Sequence, residues 1–98
     1  MVEVRWTPQA ADDLETIAEF IAQNSPHYAA VFVLDVLQTA ERLVQFPQMG
    51  RIVPEINDPA LRELIFGAYR VIYRLQGELA EILAVHHGVR RLDPSKLN

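Results

Sequence analysis

The chain has 98 residues and no cysteine, and it combines 50% hydrophobic with 22% charged residues. This length suits a single domain spanning residues 1–98, and the hydrophobic content excludes a disordered chain. Without cysteine, disulfide bonds, thiolate zinc sites and iron–sulfur clusters are excluded. The longest apolar run, residues 29–34, is much shorter than the ~18 residues of a membrane span. The first residues are unlike a signal peptide, so we expect a soluble cytoplasmic protein.

Charge is unevenly distributed along the chain, whose net charge is −4. Residues 1–50 carry two basic and seven acidic side chains, for a sum of −5, whereas residues 51–98 carry seven basic and six acidic, for +1. The acidic total argues against direct binding of free DNA or RNA, which needs a surplus of Lys and Arg. Eight of the nine basic residues are Arg, whose planar guanidinium binds carboxylate or phosphate specifically. Scattered surface arginines are the alternative interpretation.

The N-terminal part predicts a strand followed by two helices. Residues 2–6 alternate apolar and charged side chains, which is the period of a half-buried strand. Thr7-Pro8 and Ser25-Pro26 each place a capping hydroxyl before a proline, which marks the start of a helix. We therefore expect helices over about residues 8–23 and 26–45, joined by a tight turn into an antiparallel hairpin.

The second predicted helix has more apolar residues than one buried stripe accommodates. Its expected core-facing stripe comprises Ala29, Val33, Val36, Leu37, Ala40 and Val44. Further apolar side chains around the same helix are Tyr28, Val31, Phe32 and Leu34. Either the rest of the protein wraps this helix widely, or these side chains form the surface for an apolar partner, and the sequence leaves both interpretations open.

The C-terminal half predicts an antiparallel meander. Pro54 restricts residues 52–56 to an edge strand at most, and strand patterns then cover residues 61–66, 69–75 and 79–87 with short turns between them. The order β-α-α-(β)-β-β-β belongs to the α+β class, with an N-terminal helical hairpin packed on one face of a mostly antiparallel sheet. The strand order stays open, because the first strand could pair at more than one edge.

The candidate chemical groups indicate arginine chemistry rather than a metal site. His86 and His87 are adjacent on a strand and point to opposite faces, so they cannot share a metal ion. We expect no metal and no cofactor. The cationic residues predicted on neighbouring strands or at the rim of the sheet are Arg62, Arg70, Arg74, Arg90 and Arg91. Such a set fits either a metal-independent endoribonuclease or a face that binds an acidic peptide.

Several motifs, read in chain order, resemble toxins of the RelE/ParE superfamily. The runs that carry the resemblance are Trp6-Thr7-Pro8-Gln9-Ala10, Asp13-Leu14, Phe46-Pro47-Gln48-Met49-Gly50-Arg51, Leu61-Arg62-Glu63-Leu64, Gly67-Ala68-Tyr69-Arg70-Val71-Ile72-Tyr73 and Val85-His86-His87-Gly88-Val89-Arg90. The resemblance implies the toxin of a type II toxin–antitoxin system, held in a hetero-oligomer by a cognate ParD-like or RelB-like antitoxin. ParE-like members poison DNA gyrase and are associated with plasmid stabilisation, whereas RelE-like members cleave mRNA on the ribosome.

Two features favour the ParE-like branch. Leu92 stands about where RelE-like nucleases often carry Tyr, and this chain is acidic whereas those nucleases are generally basic. The favoured interpretation is therefore a gyrase inhibitor without catalytic residues. The alternative is a RelE-like mRNA endonuclease in which Arg62, Arg70 and Arg90 stabilise charge and His87 acts as the base. A domain whose toxicity has decayed is a third interpretation.

The resemblance also implies an antitoxin-binding surface. The residues expected to bind the antitoxin are Val31, Leu34, Arg70, Arg74 and Arg90. The apolar pair would pack against the C-terminal segment of the antitoxin, and the arginines would bind its acidic groups. In the alternative interpretation, Arg70 and Arg74 are internal and pair with helix carboxylates such as Asp13 or Glu41.

Overall fold

The computed structural model describes residues 1–88. Its main elements, in chain order, are β1 (Glu3–Trp6), α1 (Pro8–Ala22), α2 (Pro26–Glu41), β2 (Arg51–Ile52), β3 (Leu61–Phe66), β4 (Tyr69–Gln76) and β5 (Leu79–His87). A 3-10 turn, Arg42–Val44, follows α2 directly. Arg90, Arg91 and Leu92, which enter the predictions above, lie outside the described residues.

The five strands form one sheet in the order β1-β5-β4-β3-β2. β1 runs parallel to β5, with Glu3 opposite Leu79 and Trp6 opposite Ile82, and the other neighbouring strands are antiparallel. Both helices pack on one face of this sheet, so the predicted α+β fold is confirmed. The first strand, whose pairing the sequence left open, lies beside the last. No helix within residues 1–88 is long and apolar enough to cross a membrane.

Two tight turns connect the strands of the meander. Gly67, between β3 and β4, and Gly77, between β4 and β5, have φ angles of 57° and 59°. This left-handed backbone favours glycine, because a β-carbon would strain it. The first turn pairs Phe66 with Tyr69 and thereby determines which side chains of β3 and β4 share a face.

The start of α1 is fixed to the last strand. The Thr7 hydroxyl accepts a hydrogen bond from the Ala10 N–H (3.1 Å) and donates to the Leu83 carbonyl (3.3 Å), as expected of an N-cap. The Asp13 carboxylate accepts from the Val85 backbone N–H at 3.0 Å. Asp13 therefore fixes the helix to β5, whereas the sequence offered it as a possible partner of Arg70 or Arg74.

α2 begins as predicted and ends earlier. The Ser25 hydroxyl accepts from the Tyr28 N–H at 3.1 Å, and the helix ends at Glu41 rather than near residue 45. Leu37, which the sequence assigned to the core-facing stripe, is exposed. The buried side of α2 instead follows Ala29, Val36 and Ala40. Leu37 is rotated by about 100° from Val36 around the helix and so points away from the sheet.

Apolar cores lie on both faces of the sheet. The larger core, under the helices, includes Leu14, Val36, Leu43, Val71, Tyr73 and Ile82. A smaller core on the opposite face, which we call the far face, joins Val53, Leu61, Ile72 and Leu83. The neighbours Ile82 and Leu83 thus belong to opposite cores, as is typical of an interior strand that is apolar on both faces.

Candidate partner-binding surface

A groove of about 430 Å³ opens between the two helices and the turn that joins β3 to β4. Its walls include Ile21 of α1, Tyr28, Val31 and Asp35 of α2, and Phe66 and Tyr69 of the strands. We call it the helical groove. Because most of these walls are apolar, the helical groove suits a partner that buries hydrophobic surface rather than a charged small ligand.

Large apolar side chains beside the helical groove remain in contact with solvent. Tyr28 is 68% exposed, and Phe20 of α1 is 60% exposed. Val31 and Leu34 are also exposed and follow Tyr28 at intervals of three residues, which makes one ridge along α2. Only Phe32, of the additional apolar residues on this helix, packs against the core. Because these side chains are about half exposed, covering each of them would gain roughly 1 kcal/mol, so the ridge favours a protein partner.

Aromatic rings form the floor between the helical groove and a neighbouring depression. Phe32 contacts Tyr69 edge-to-face with a centroid distance of 5.3 Å, and Tyr69 contacts His87 in the same way at 5.2 Å. The neighbouring depression measures about 290 Å³, and its walls include Phe20, Tyr69, His86 and His87. The ring of His87 therefore packs on the helix-covered side of the sheet.

Arg70 occupies the far face as part of a buried ion-pair network. Its guanidinium donates to both oxygens of Glu55, at 3.0 and 2.8 Å, and to Glu63 at 3.0 Å. The Arg51 guanidinium binds the other oxygen of Glu63. The hydrogen bond to Glu55 is the main reason why the pKa of Arg70 rises above its ordinary value, although burial acts in the opposite direction. Arg70 is thus internal, but its partners are not the helix carboxylates Asp13 or Glu41.

The predicted arginine set is divided between the two faces of the sheet. Arg62 lies opposite Tyr73, which belongs to the core under the helices. Its guanidinium donates to the backbone carbonyls of Pro59, Gln48 and Gly50 at 3.0–3.2 Å. Arg74 lies on the far face, like Arg70, because the side chains of β4 alternate between the two faces of the sheet. The expectation that Arg62 joins Arg70 and Arg74 in one cluster is therefore wrong, because side chains alternate along β3 and β4.

The residues predicted to bind the antitoxin are likewise on different surfaces. Val31 and Leu34 are exposed on the helical layer, whereas Arg74 is partly exposed on the far face, opposite Leu61 and Glu81. Arg90 lies outside the described range. A partner that contacts both Val31 and Arg74 has to continue around an edge of the sheet. Within residues 1–88, no group of three or more His, Asp or Glu side chains is placed to hold a metal ion.

The sequence reasoning missed the carboxylate partners of Arg70. A signal for one of them was present: a two-residue turn between β3 and β4 places Glu63 opposite Ile72, on the same face as Arg70. Glu55 had no such signal, because it belongs to the irregular segment after β2. Its position depends on how residues 53–60 fold back over the far face.

Comparison with known proteins agrees with the fold. Residues 4–92 match the family described as the ParE toxin of type II toxin–antitoxin system, parDE. Toxin RelE2 of Caulobacter vibrioides is 32% identical over 91 residues, which are 92% of this chain and 99% of that protein. The chromosomal ParDE system from P. aeruginosa contains a similar chain, with a TM-score of 0.72, 26% identity, and coverage of 89% of this chain and 96% of that one.

A second solved structure shares the fold alone. It is the toxin–antitoxin complex RelBE2 from Mycobacterium tuberculosis, with a TM-score of 0.58, 24% identity, and coverage of 88% of this chain and 96% of that one. The helical hairpin, the five-stranded sheet and the match over residues 4–92 agree with the resemblance found in the sequence. The chain belongs to the ParE toxin family, within the RelE/ParE superfamily of type II toxin–antitoxin toxins.

Proposed function

We propose that this chain is a cytoplasmic, growth-inhibiting toxin whose cognate antitoxin neutralises it by occupying the helical groove. The observation that carries the proposal is the ridge of Tyr28, Val31 and Leu34, three exposed apolar side chains beside an apolar groove. The similar chains of ParDE and RelBE2 come from toxin–antitoxin assemblies. This origin supports a ParD-like or RelB-like protein as the occupant.

The shape of the helical groove favours an amphipathic helix of the antitoxin. A ridge with a spacing of three residues on one helix packs between the ridges of a second helix that crosses it. Apolar residues three and four apart on the antitoxin would then cover Val31 and Leu34. Asp35 is the charged residue of the groove wall, so a Lys or Arg at the edge of the antitoxin helix would pair with it.

The antitoxin also reaches the far face at Arg74. An antitoxin carboxylate could bind Arg70 only by replacing Glu55, which already accepts two hydrogen bonds from its guanidinium. Arg74 is less buried, so it is the arginine of the far face that we assign to antitoxin contact. The antitoxin segment would therefore begin in the helical groove and pass around the sheet.

The target that we propose is DNA gyrase, which the toxin inhibits by binding rather than by catalysis. An endoribonuclease needs cations and a general base around one phosphodiester. Within residues 1–88, however, Arg70 pairs with two carboxylates on the far face, whereas His87 packs against Tyr69 under the helices. This separation supports the gyrase-poisoning branch over mRNA cleavage.

Expression of the chain in bacteria, with and without the protein encoded by the adjacent reading frame, tests the proposal. We expect growth arrest and gyrase-linked DNA breaks when the toxin is expressed alone, and normal growth when both proteins are expressed. Ribosome-dependent mRNA cuts without DNA breaks would assign the chain to the endonuclease branch instead. Normal growth with the toxin alone would contradict toxicity altogether.

A further inference from the structure

A second exposed apolar surface lies at the other end of α2, where residues 46–49 connect the 3-10 turn to β2. We call it the knuckle. Phe46 is 57% exposed and Met49 is 38% exposed, and both line a depression of about 610 Å³ together with Arg42, Pro47 and Gln48. The helical groove uses α2 as far as Asp35, so the rest of the helix and the 3-10 turn, together roughly 15 Å long, separate the two surfaces.

The knuckle is held rigidly although it is neither helix nor strand. The buried Tyr73 hydroxyl donates to the Pro47 carbonyl (2.8 Å) and accepts from the Gly50 N–H (3.0 Å). Arg62 donates to the carbonyls of Gln48 and Gly50. A β-carbon at Gly50 would lie only 2.7 Å from the Tyr73 hydroxyl. A loop whose backbone is fixed in this way presents Phe46 and Met49 to a partner at a small cost in backbone conformational entropy.

The charges around the knuckle indicate an acidic partner. Within residues 1–88, neither Arg42 nor Arg62 forms an ion pair with a carboxylate, yet Arg42 lines the depression and Arg62 binds its backbone. A nucleic acid is disfavoured, because the chain has a net charge of −4 and, within residues 1–88, two such cations lie at the knuckle. An acidic protein segment with an apolar side chain would pair with Arg42 and fill the depression, while Arg62, which already donates to backbone carbonyls, adds positive charge near it.

We propose that the knuckle binds an acidic segment of the target protein, anchored by one apolar side chain, and that the antitoxin binds elsewhere. This inference rests on the proposed function, since it assumes a toxin with an antitoxin in the helical groove. The toxin thus has separate surfaces for inhibition and for neutralisation. Its antitoxin acts by excluding the target sterically or by holding the toxin in an assembly, rather than by covering Phe46.

Phe46→Ser and Arg42→Glu test the proposal, with Ile65→Ser and Arg5→Glu as matched controls on exposed sites of the far face and β1. Each variant is expressed without antitoxin to measure growth arrest, and is purified for titration with the protein of the adjacent reading frame. For the two knuckle variants we expect growth arrest to need at least ~10-fold more toxin, with antitoxin affinity and melting temperature close to wild type. The controls should resemble wild type in every measurement.

Several results would overturn the inference. Full toxicity of both knuckle variants, or a loss of antitoxin affinity that matches their loss of toxicity, would show that the knuckle is not a separate target surface. If the wild type is a dimer and Phe46→Ser is a monomer, the knuckle binds a second copy of the chain instead of a target protein. If the wild type binds a labelled DNA duplex and Arg42→Glu does not, the ligand of the knuckle is a nucleic acid. If the wild-type protein does not arrest growth, the proposed function itself fails. If the wild type and both knuckle variants all arrest growth, the inference about the knuckle fails but the proposed function does not.

Discussion

The helical groove leaves large apolar side chains in water, whereas the far face withdraws charged side chains from it. Tyr28 and Leu34 are more than half exposed, while Arg70 and Glu63 are almost completely buried. The exposed ridge contributes little to folding, because its side chains are also solvated in the unfolded chain. The buried network is not available to a partner protein as long as Arg70 binds Glu55 and Glu63. Substitutions in the two regions should therefore separate partner binding from stability.

The largest expected effect comes from Arg70→Met. The substitution removes the cation that Glu63 and Glu55 share and leaves the buried Glu63 carboxylate with Arg51 as its remaining cation. Breaking a buried ion pair costs about 3–5 kcal/mol of unfolding free energy, and because Arg51 still binds Glu63 we expect a loss near the lower end of that range. Urea denaturation measures this loss. Arg5→Met is the control, because Arg5 forms an exposed ion pair with Glu3 that contributes about 0–1 kcal/mol.

A double variant sharpens the test of the network. Replacing both buried partners, with Arg70→Met and Glu63→Leu together, also removes the buried carboxylate that has lost one of its two cations and should recover part of the lost stability. If Arg70→Met were as stable as Arg5→Met, the network would not hold the far face together and the contrast with the helical groove would disappear.

Val31→Glu should have the opposite profile to Arg70→Met. A carboxylate at the centre of an apolar interface should weaken antitoxin binding by about 100-fold, while the free energy of unfolding changes by no more than ~0.5 kcal/mol at an exposed site. Ile65→Glu is the matched control, since Ile65 is 53% exposed and Val31 is 46% exposed. Calorimetric titration measures the affinities, and equal losses for the two variants would remove the assignment of the helical groove.

Tyr73→Phe should lower the free energy of unfolding by about 1–2 kcal/mol near neutral pH, because the Pro47 carbonyl and the Gly50 N–H lose their buried partner. Burial raises the pKa of Tyr73 above its ordinary value of 10.0. The unfolded chain therefore ionises first, so this contribution is present below about pH 10 and falls as the pH rises further. The difference between wild type and Tyr73→Phe should shrink above that pH, and a constant difference in denaturation experiments would contradict the role of the hydroxyl.

Arg74→Glu should have the smallest effect on binding. Because Arg74 is only partly buried, reversing its charge should weaken antitoxin binding by less than ~10-fold, mainly through faster dissociation. Arg5→Glu is the control on β1, two strands away from Arg74. Kinetic binding measurements distinguish the rates, and unchanged affinity would confine the antitoxin to the helical groove.

The elements of the fold were predictable because their signals are local. Thr7-Pro8 and Ser25-Pro26 mark both helix starts, and the alternating segments predict β3, β4 and β5 to within one residue. The early end of α2 was missed, because the apolar pattern of the helix continues through the 3-10 turn. The parallel pairing of β1 was not predictable, since nothing in residues 2–6 specifies one edge of the sheet over the other.

The candidate site was only partly predictable, because it depends on contacts distant in sequence. The surplus of apolar residues on α2 left open whether the rest of the protein covers them, and the structure leaves Val31 and Leu34 exposed. The prediction of one arginine cluster was wrong for Arg62, because the alternation of side chains along β3 places Arg62 on the opposite face from Arg70. Arg70 has a partner, Glu55, that only the folded loop brings near. The target and the antitoxin contacts themselves stay predictions.

The pairing of β1 with β5 also determines when the sheet can be completed during synthesis. Glu3 lies opposite Leu79, so the first strand of the sheet has to wait until the last strand of the sheet has been made. Until then Val4 and Trp6 have no neighbouring strand to pair with. Contacts between segments this far apart in sequence also form slowly. A chain released before residue 79 lacks this partner strand and should be degraded rather than become active.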